Sequence, residues 1–244
     1  VYHWRLSSRT QRTADEVLLH LRELFSFDGV DRRSIDAAVI SSVVPSLTRA
    51  IDEGVARLLD REPILVSPDL PLPVTLATDN PGEIGTDLLA NAVAGYTLAG
   101  RQGARGATTN RGGAAIVVDF GTALTFTVVD GEGRVRGVSI APGLTTAVNS
   151  LVARTAALPM IDLAPPDAYI GTNTTASLRS GIVNGYTGLV ESIVEGIRGE
   201  LVPDQPLVLA TGGESALIAH RCRNVKRVEP WLTLRGLYEI GRHV

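Results

Sequence analysis

Five apolar residues run without a polar break from Ala114 to Val118 and end at a carboxylate, Asp119, followed by Phe120-Gly121-Thr122 and a second threonine at Thr125. An uninterrupted run of that length, bounded by glycine, predicts a strand buried on both faces with Asp119 at its end. A charge in that position is costly unless it is paired or used. Thr125 to Val129 then alternates as a half-buried strand, Asp130-Gly131-Glu132-Gly133 supplies a turn, and Arg134 to Ile140 returns as the second arm of a hairpin.

Around this unit the pattern alternates between strands and helices. Val1 to Leu6 reads as the middle of a strand, and with no initiator Met at Val1 an upstream segment is expected. Thr13 with Glu16 forms a capping box, and apolar residues at helical spacing carry a helix to about Phe25. Ile35 to Val44 predicts a buried strand, Ser46 to Leu59 a helix, Pro63 to Ser67 a short strand, and Pro68 to Pro73 an exposed connection. Asn80-Pro81-Gly82 marks a turn before a helix whose buried face is Leu88, Leu89, Ala92 and Val93, with Asp87 in its first turn.

Downstream, Ala141-Pro142-Gly143 opens a helix to about Ala156, and Asn173 or Thr174 caps a long helix over Thr175 to Leu201. Gly181, Gly185 and Gly188 lower the helix propensity of that segment, which points to close packing against another backbone, within the fold or across a dimer. Pro206 to Ala210 is a last long strand, followed by Thr211-Gly212-Gly213-Glu214, a short helix to His220, a strand at Val225 to Val228 and a helix over Leu232 to Gly241. Such alternation predicts an α/β fold. The Gly- and Arg-rich stretch 101–113, with Arg101, Arg105 and Arg111, is expected to be an inserted loop or a linker between an incomplete N-terminal domain 1–100 and a C-terminal domain 114–244.

Composition narrows the function classes. The chain has 244 residues, 44% hydrophobic and 20% charged, with a formal net charge of -3, which gives no reason to expect nucleic acid or an anionic membrane as partner. The single cysteine, Cys222, excludes an intramolecular disulfide and reads as an ordinary small residue. No apolar run approaches the ~20 residues that span a bilayer, so the expected location is the cytoplasm.

Three places carry candidate chemistry. Asp119 lies beside Gly121, where backbone can approach a ligand, and beside the hydroxyls of Thr122 and Thr125; that equipment suits phosphate held next to a cation. Asp87 faces the positive end of a helix dipole, so it is either a cap worth ~0.3–1 kcal/mol or a general base. Gly212-Gly213, between a strand and a helix, can lay backbone N–H groups against a nucleotide.

Taken together and in order, IVVDFGTALTF, NPGEIGTDLLANAVAGY, VSIAPGL, IGTNT through SGIVNGY, and ATGGESALIA resemble the type III pantothenate kinases, as do RTADE, ISSVVPSLT and VEPWLTLRGLYEIG. The resemblance covers nearly the whole chain. It implies membership of the acetate and sugar kinase, Hsc70 and actin superfamily: two RNase-H-like (actin-like ATPase) domains with mixed sheets flanked by helices, ATP between them, and a homodimer. The family's opening strand and Asp-x-Gly-Asn-Thr phosphate loop have no counterpart in this sequence. The implied reaction is ATP-dependent phosphorylation of pantothenate, the first step towards coenzyme A, with Mg2+ and a monovalent cation, K+ or NH4+.

Matched motif by motif, the resemblance implies Asp87 as proton acceptor within a substrate-binding run Gly85-Thr86-Asp87-Leu88, Asp119 as the monovalent-cation ligand, Thr122 as an ATP contact and Thr174 as a pantothenate contact. This chain has Leu88 where the family has Arg, and Thr78 where a Tyr commonly lines the pantothenate site. Two alternatives follow from those departures: a related small-molecule kinase with another acceptor, and a non-catalytic paralogue with an accessory role in transcription.

Overall fold

The computed structural model describes residues 2–7, 11–103 and 112–244. In chain order it contains α1 (Ala14–Phe27), β1 (Val39–Ile40), α2 (Pro45–Leu59), β2 (Ile64–Leu65), β3 (Thr75–Leu76), α3 (Thr86–Gly103), β4 (Ala115–Phe120), β5 (Ala123–Val129), β6 (Arg134–Pro142), α4 (Leu144–Ala153), α5 (Thr174–Glu200), β7 (Leu207–Thr211), α6 (Ser215–Ile218), β8 (Arg227–Val228) and α7 (Leu232–His243). The architecture is mixed α/β, with sheets flanked by helices. No helix among the described residues is long and apolar enough to cross a membrane.

β4 takes the centre of a six-stranded sheet of order β3-β6-β5-β4-β7-β8, antiparallel to β5 and parallel to β7. Its side chains alternate between two cores, as the pleat requires. Ile116, Val118 and Phe120 pack with Val183, Val190 and Val194 of α5. Ala115 packs with Leu89 and Val93 of α3 and Ile240 of α7, while Val117 packs with Leu98 and Leu232. An apolar residue is therefore needed at every position up to Val118, which is why the run lacks alternation. Asp119 shares the face of Ala115 and Val117, so it points toward α3 and α7.

Several elements form as their local signals dictate. Thr13 caps α1, with its side chain accepting from Glu16 N–H and Glu16 returning the bond. Asn173, rather than Thr174, caps α5 by accepting from Ala176 N–H at 2.9 Å, so Thr174 is the first helical residue. In the hairpin turn Asp130 is 3% exposed and accepts from the Arg134 backbone N–H and side-chain Nε, both at 2.9 Å.

Other elements differ from the pattern. Residues 2–7 form no strand; they are anchored through side chains, with Trp4 Nε1 donating to Asp28 at 2.6 Å and His3 stacked 4.2 Å from Trp231. The strand predicted over Ile35 to Val44 shrinks to Val39–Ile40, because its one partner, β2, is equally short. β3, after the Pro-rich connection, is an added strand that pairs with β6. The close packing within the fold predicted for Gly181, Gly185 and Gly188 does not occur among the described residues: a methyl group at any of them would meet nothing there within 4 Å. Arg101 ends in an ion pair with Glu239 of α7 at 2.9 Å, whereas Arg105 and Arg111 lie outside the described residues.

Candidate active site

The C-terminal ends of the parallel strands β4 and β7 form one edge of the site, the place where open α/β sheets bind ligands. Asp119 pairs in register with Thr125 of β5 on one side and Thr211 of β7 on the other, so three polar side chains share one level of the α3 face. The Thr125 hydroxyl is buried without a hydrogen-bond partner among the described residues. Asp119 Oδ2 accepts from Asn91 Nδ2 at 3.0 Å. Burial pushes the Asp119 carboxyl above the ordinary aspartate range; the Asn91 hydrogen bond works against this and the Asp87 charge adds to it. A bound cation favours the ionised form of such a group. The hard oxygens of Asp119 and Thr125 fit an alkali or ammonium ion.

Asp87 is exposed in the first turn of α3, where its Oδ1 accepts from Leu88 N–H at 2.9 Å. Gly85 makes room for it, since a Cβ there would stand 2.5 Å from that oxygen. Thr86 shares a 2.8 Å hydrogen bond with Ser41, joining the α3 start to the loop after β1. Asp87 is close enough to Asp119 for its charge to act on it, so the structure brings the two singled-out carboxylates together. Thr78, just beyond β3, has a buried hydroxyl without a partner among the described residues.

The two glycine turns lie over the ends of β4 and β7. Gly121 and Thr122 are exposed between β4 and β5, and the Thr122 carbonyl accepts from Gly143 N–H at 3.1 Å and the Thr146 hydroxyl at 2.8 Å. Gly212 has φ +91°, and a Cβ there would stand 2.5 Å from the Phe120 carbonyl oxygen and 2.6 Å from Asp119 Oδ1. Only glycine suits both demands. Gly213 is exposed, with Arg5 Nη2 3.8 Å from where its Cβ would be. Glu214 accepts through Oε1 from the Thr145 N–H and hydroxyl, while its Oε2 is buried with no partner among the described residues.

Thr174 is exposed at the start of α5, and no hydrogen bond joins it to the other singled-out residues among those described. Two residues of the site escape the pattern reading. Asn91 is fully buried and holds Asp119, and Thr233 of α7 donates to Asn91 Oδ1 at 2.8 Å. Asn91 carries a usable signal: a polar residue inside an apolar helical run, four positions after Asp87 and on its face. Thr233 carries none, being one hydroxyl in the first turn of α7, 142 residues away.

Comparison with known proteins bears on what this edge does. The family model described as type III pantothenate kinase matches residues 1–196. A type III pantothenate kinase of Moorella thermoacetica is 40% identical over 96% of this chain and 87% of its own length. One from Anaeromyxobacter sp. (strain K) is 37% identical over the same shares. Among solved structures, an inorganic polyphosphate/ATP-glucomannokinase from Arthrobacter sp. strain KM superposes with a TM-score of 0.42 at 16% identity, over 97% of this chain and 85% of that one. Similarity at that level is too remote to add to the fold described above. The sequence matches span both carboxylates and both glycine turns, and by them the chain belongs to the type III pantothenate kinase family.

Proposed function

We propose that this edge phosphorylates pantothenate at its primary hydroxyl with ATP, the first step of coenzyme A synthesis. The family assignment supports the activity, its use of ATP and a divalent metal, and a small-molecule substrate. The observation that carries the residue roles is the pairing of an exposed carboxylate at a helix start with a half-buried one at a strand end, beside two glycine turns.

Phosphoryl transfer depends on positioning and on neutralising charge. The substrate hydroxyl attacks the γ-phosphorus, a new O–P bond forms as the bond to the β-phosphate oxygen breaks, and the hydroxyl proton passes to Asp87. Oδ2 is the accepting atom, because Oδ1 is engaged by the helix's own Leu88 N–H. Thr122 and the backbone of Gly121, Gly212 and Gly213 bind the ATP phosphates. Asp119 and Thr125 would hold a monovalent cation, K+ or NH4+, and a bound Mg2+ would supply charge neutralisation at the phosphates. The pantothenate contacts are Thr78, through its unpartnered hydroxyl, with Gly85, Thr86, Leu88 and Thr174. Leu88 offers an apolar contact in place of a guanidinium fork.

The protein acts in the cytoplasm as a homodimer. The open glycine face of α5, beside exposed Tyr169 and Ile170, suits a second copy. The two-domain, RNase-H-like organisation expected for the family, with 101–113 between the halves, belongs to the same reading.

ADP release by the purified protein with Mg-ATP and pantothenate, in potassium or ammonium against sodium, tests the function. Pantothenate-dependent, cation-stimulated release is expected, and Asp87→Asn abolishes it with an unchanged unfolding curve. A folded protein that releases no ADP overturns the reading, and turnover retained in Asp87→Asn removes that residue from the role of base.

A further inference from the structure

The C-terminal helix takes part in the site through a contact that the chemistry above does not use. Thr233, on the first turn of α7, donates its hydroxyl to Asn91 Oδ1 at 2.8 Å, and Asn91 Nδ2 donates to Asp119 Oδ2 at 3.0 Å. A carboxamide has one acceptor end and one donor end. With its acceptor end facing a hydroxyl donor, Asn91 has only its N–H2 to offer to Asp119. The residue is fully buried, so water does not compete for either end. Gly236, one turn further on, holds α7 against α3, because a Cβ there would stand 1.9 Å from the Ala90 carbonyl oxygen.

We propose that Thr233 and Asn91 are positioning residues: a clamp through which α7 fixes the Asp119 carboxylate so that Oδ1 faces the space bounded by Gly121 and Gly212. A Cβ built on Gly121 stands 3.6 Å from Asp119 Oδ1 and one on Gly212 stands 2.6 Å from it, so the freed oxygen looks into the gap that the two glycines leave. Asn91 also lies one helical turn from Asp87 on the same face of α3. The clamp therefore ties both carboxylates to one rigid unit of β4, α3 and α7. Without it Asp119 is free to turn Oδ1 away, and a cation at that oxygen binds more weakly. This inference rests on the reading of Asp119 as a cation ligand.

The test compares Thr233→Val, Thr233→Ser and Asp119→Asn in the full chain. Thr233→Val keeps the shape of the side chain and removes the donor. It is expected to raise the potassium concentration for half-maximal ADP release roughly three- to tenfold, the worth of one hydrogen bond, with kcat at saturating potassium changed less. A second readout needs no turnover. Potassium, set against a bulky organic cation at equal ionic strength, should raise the unfolding temperature of wild type and Thr233→Ser more than that of Thr233→Val. The Asn91 side-chain amide protons, seen by NMR, should be slow to exchange in the first two proteins and fast in the third. If Asp119→Asn loses the potassium response while Thr233→Val keeps wild-type half-saturation and slow amide exchange, the clamp is refuted and the cation reading stands. If Asp119→Asn keeps the full potassium response, the cation reading fails and the clamp's role fails with it.

Discussion

Replacing Gly212 by Ala perturbs the site at its tightest point. At φ +91° an L-residue is strained by on the order of 1–2 kcal/mol. The added Cβ would also stand 2.5 Å from the Phe120 carbonyl oxygen, where ordinary contact begins at 3.4 Å, so something must move by about 0.9 Å. Phe120 cannot yield, because β4 is hydrogen-bonded to a neighbour on each side. Asp119 is held by Asn91, and the Gly212 turn is left to shift. Strain and crowding together give an expected destabilisation of about 2–5 kcal/mol, or a drop of roughly 4–20 °C in Tm for a chain of this size. Misplacing a phosphate-binding turn by about 1 Å should lower kcat/KM for ATP on the order of a hundredfold. Steady-state kinetics at saturating pantothenate, with thermal unfolding of the same preparation, measures both. Gly213→Ala is the stability control, since among the described residues its Cβ meets only Arg5 at 3.8 Å, and it should unfold within about 0.5 kcal/mol of wild type. A Gly212→Ala protein with unchanged kcat/KM for ATP and unchanged Tm would refute the close approach of the turn to β4.

Three further outcomes are expected. Gly236→Ala should cost at least about 2 kcal/mol in urea unfolding, because its Cβ would overlap the Ala90 carbonyl at 1.9 Å; an unchanged midpoint would mean that α7 does not lie this close to α3. Burial, with the Glu191 charge adding to it, pushes the Cys222 thiol up to about 11, so iodoacetamide at pH 8 should label the native protein far more slowly than the unfolded chain; equal rates would contradict the burial. At Asp130 burial pushes the carboxyl up, but hydrogen bonds from Arg134 and the Glu132 N–H, with the Arg134 charge, outweigh it and the folded value lies below the ordinary range. The stabilisation is therefore complete above the ordinary aspartate value of ~3.9 and is lost as pH falls through the lower folded value, so Asp130→Asn should flatten the acid limb of the stability curve. An acid limb identical to wild type would exclude Asp130 from that role.

The capping box at Thr13, the Asp130 turn and the apolar run ending at Asp119 were legible because each is decided by residues within one turn or one strand of each other. The family motifs singled out Asp87 and Asp119. Residues 2–7 misled, since a strand-like pattern forms a strand only where a partner edge exists, and here Trp4 and His3 find side-chain partners instead. For the glycines of α5 the described residues supply no backbone opposite them, so the half of the expectation that placed the packing within the fold fails: spacing records that a helix face is small, not what stands opposite it.

By itself, the sequence determined that this protein is α/β, where its central strand lies, which carboxylates end a strand and open a helix, and to which family it belongs. Those properties follow from local periodicity, capping and motif order. Only the tertiary structure decided that Asn91 joins Asp119 to Thr233 across 142 residues, that Gly236 lets α7 lie against Ala90, and that Thr125 and Thr211 flank Asp119 in register. Such contacts are set by how the elements dock on one sheet, and docking depends on the whole buried surface rather than on any stretch of chain.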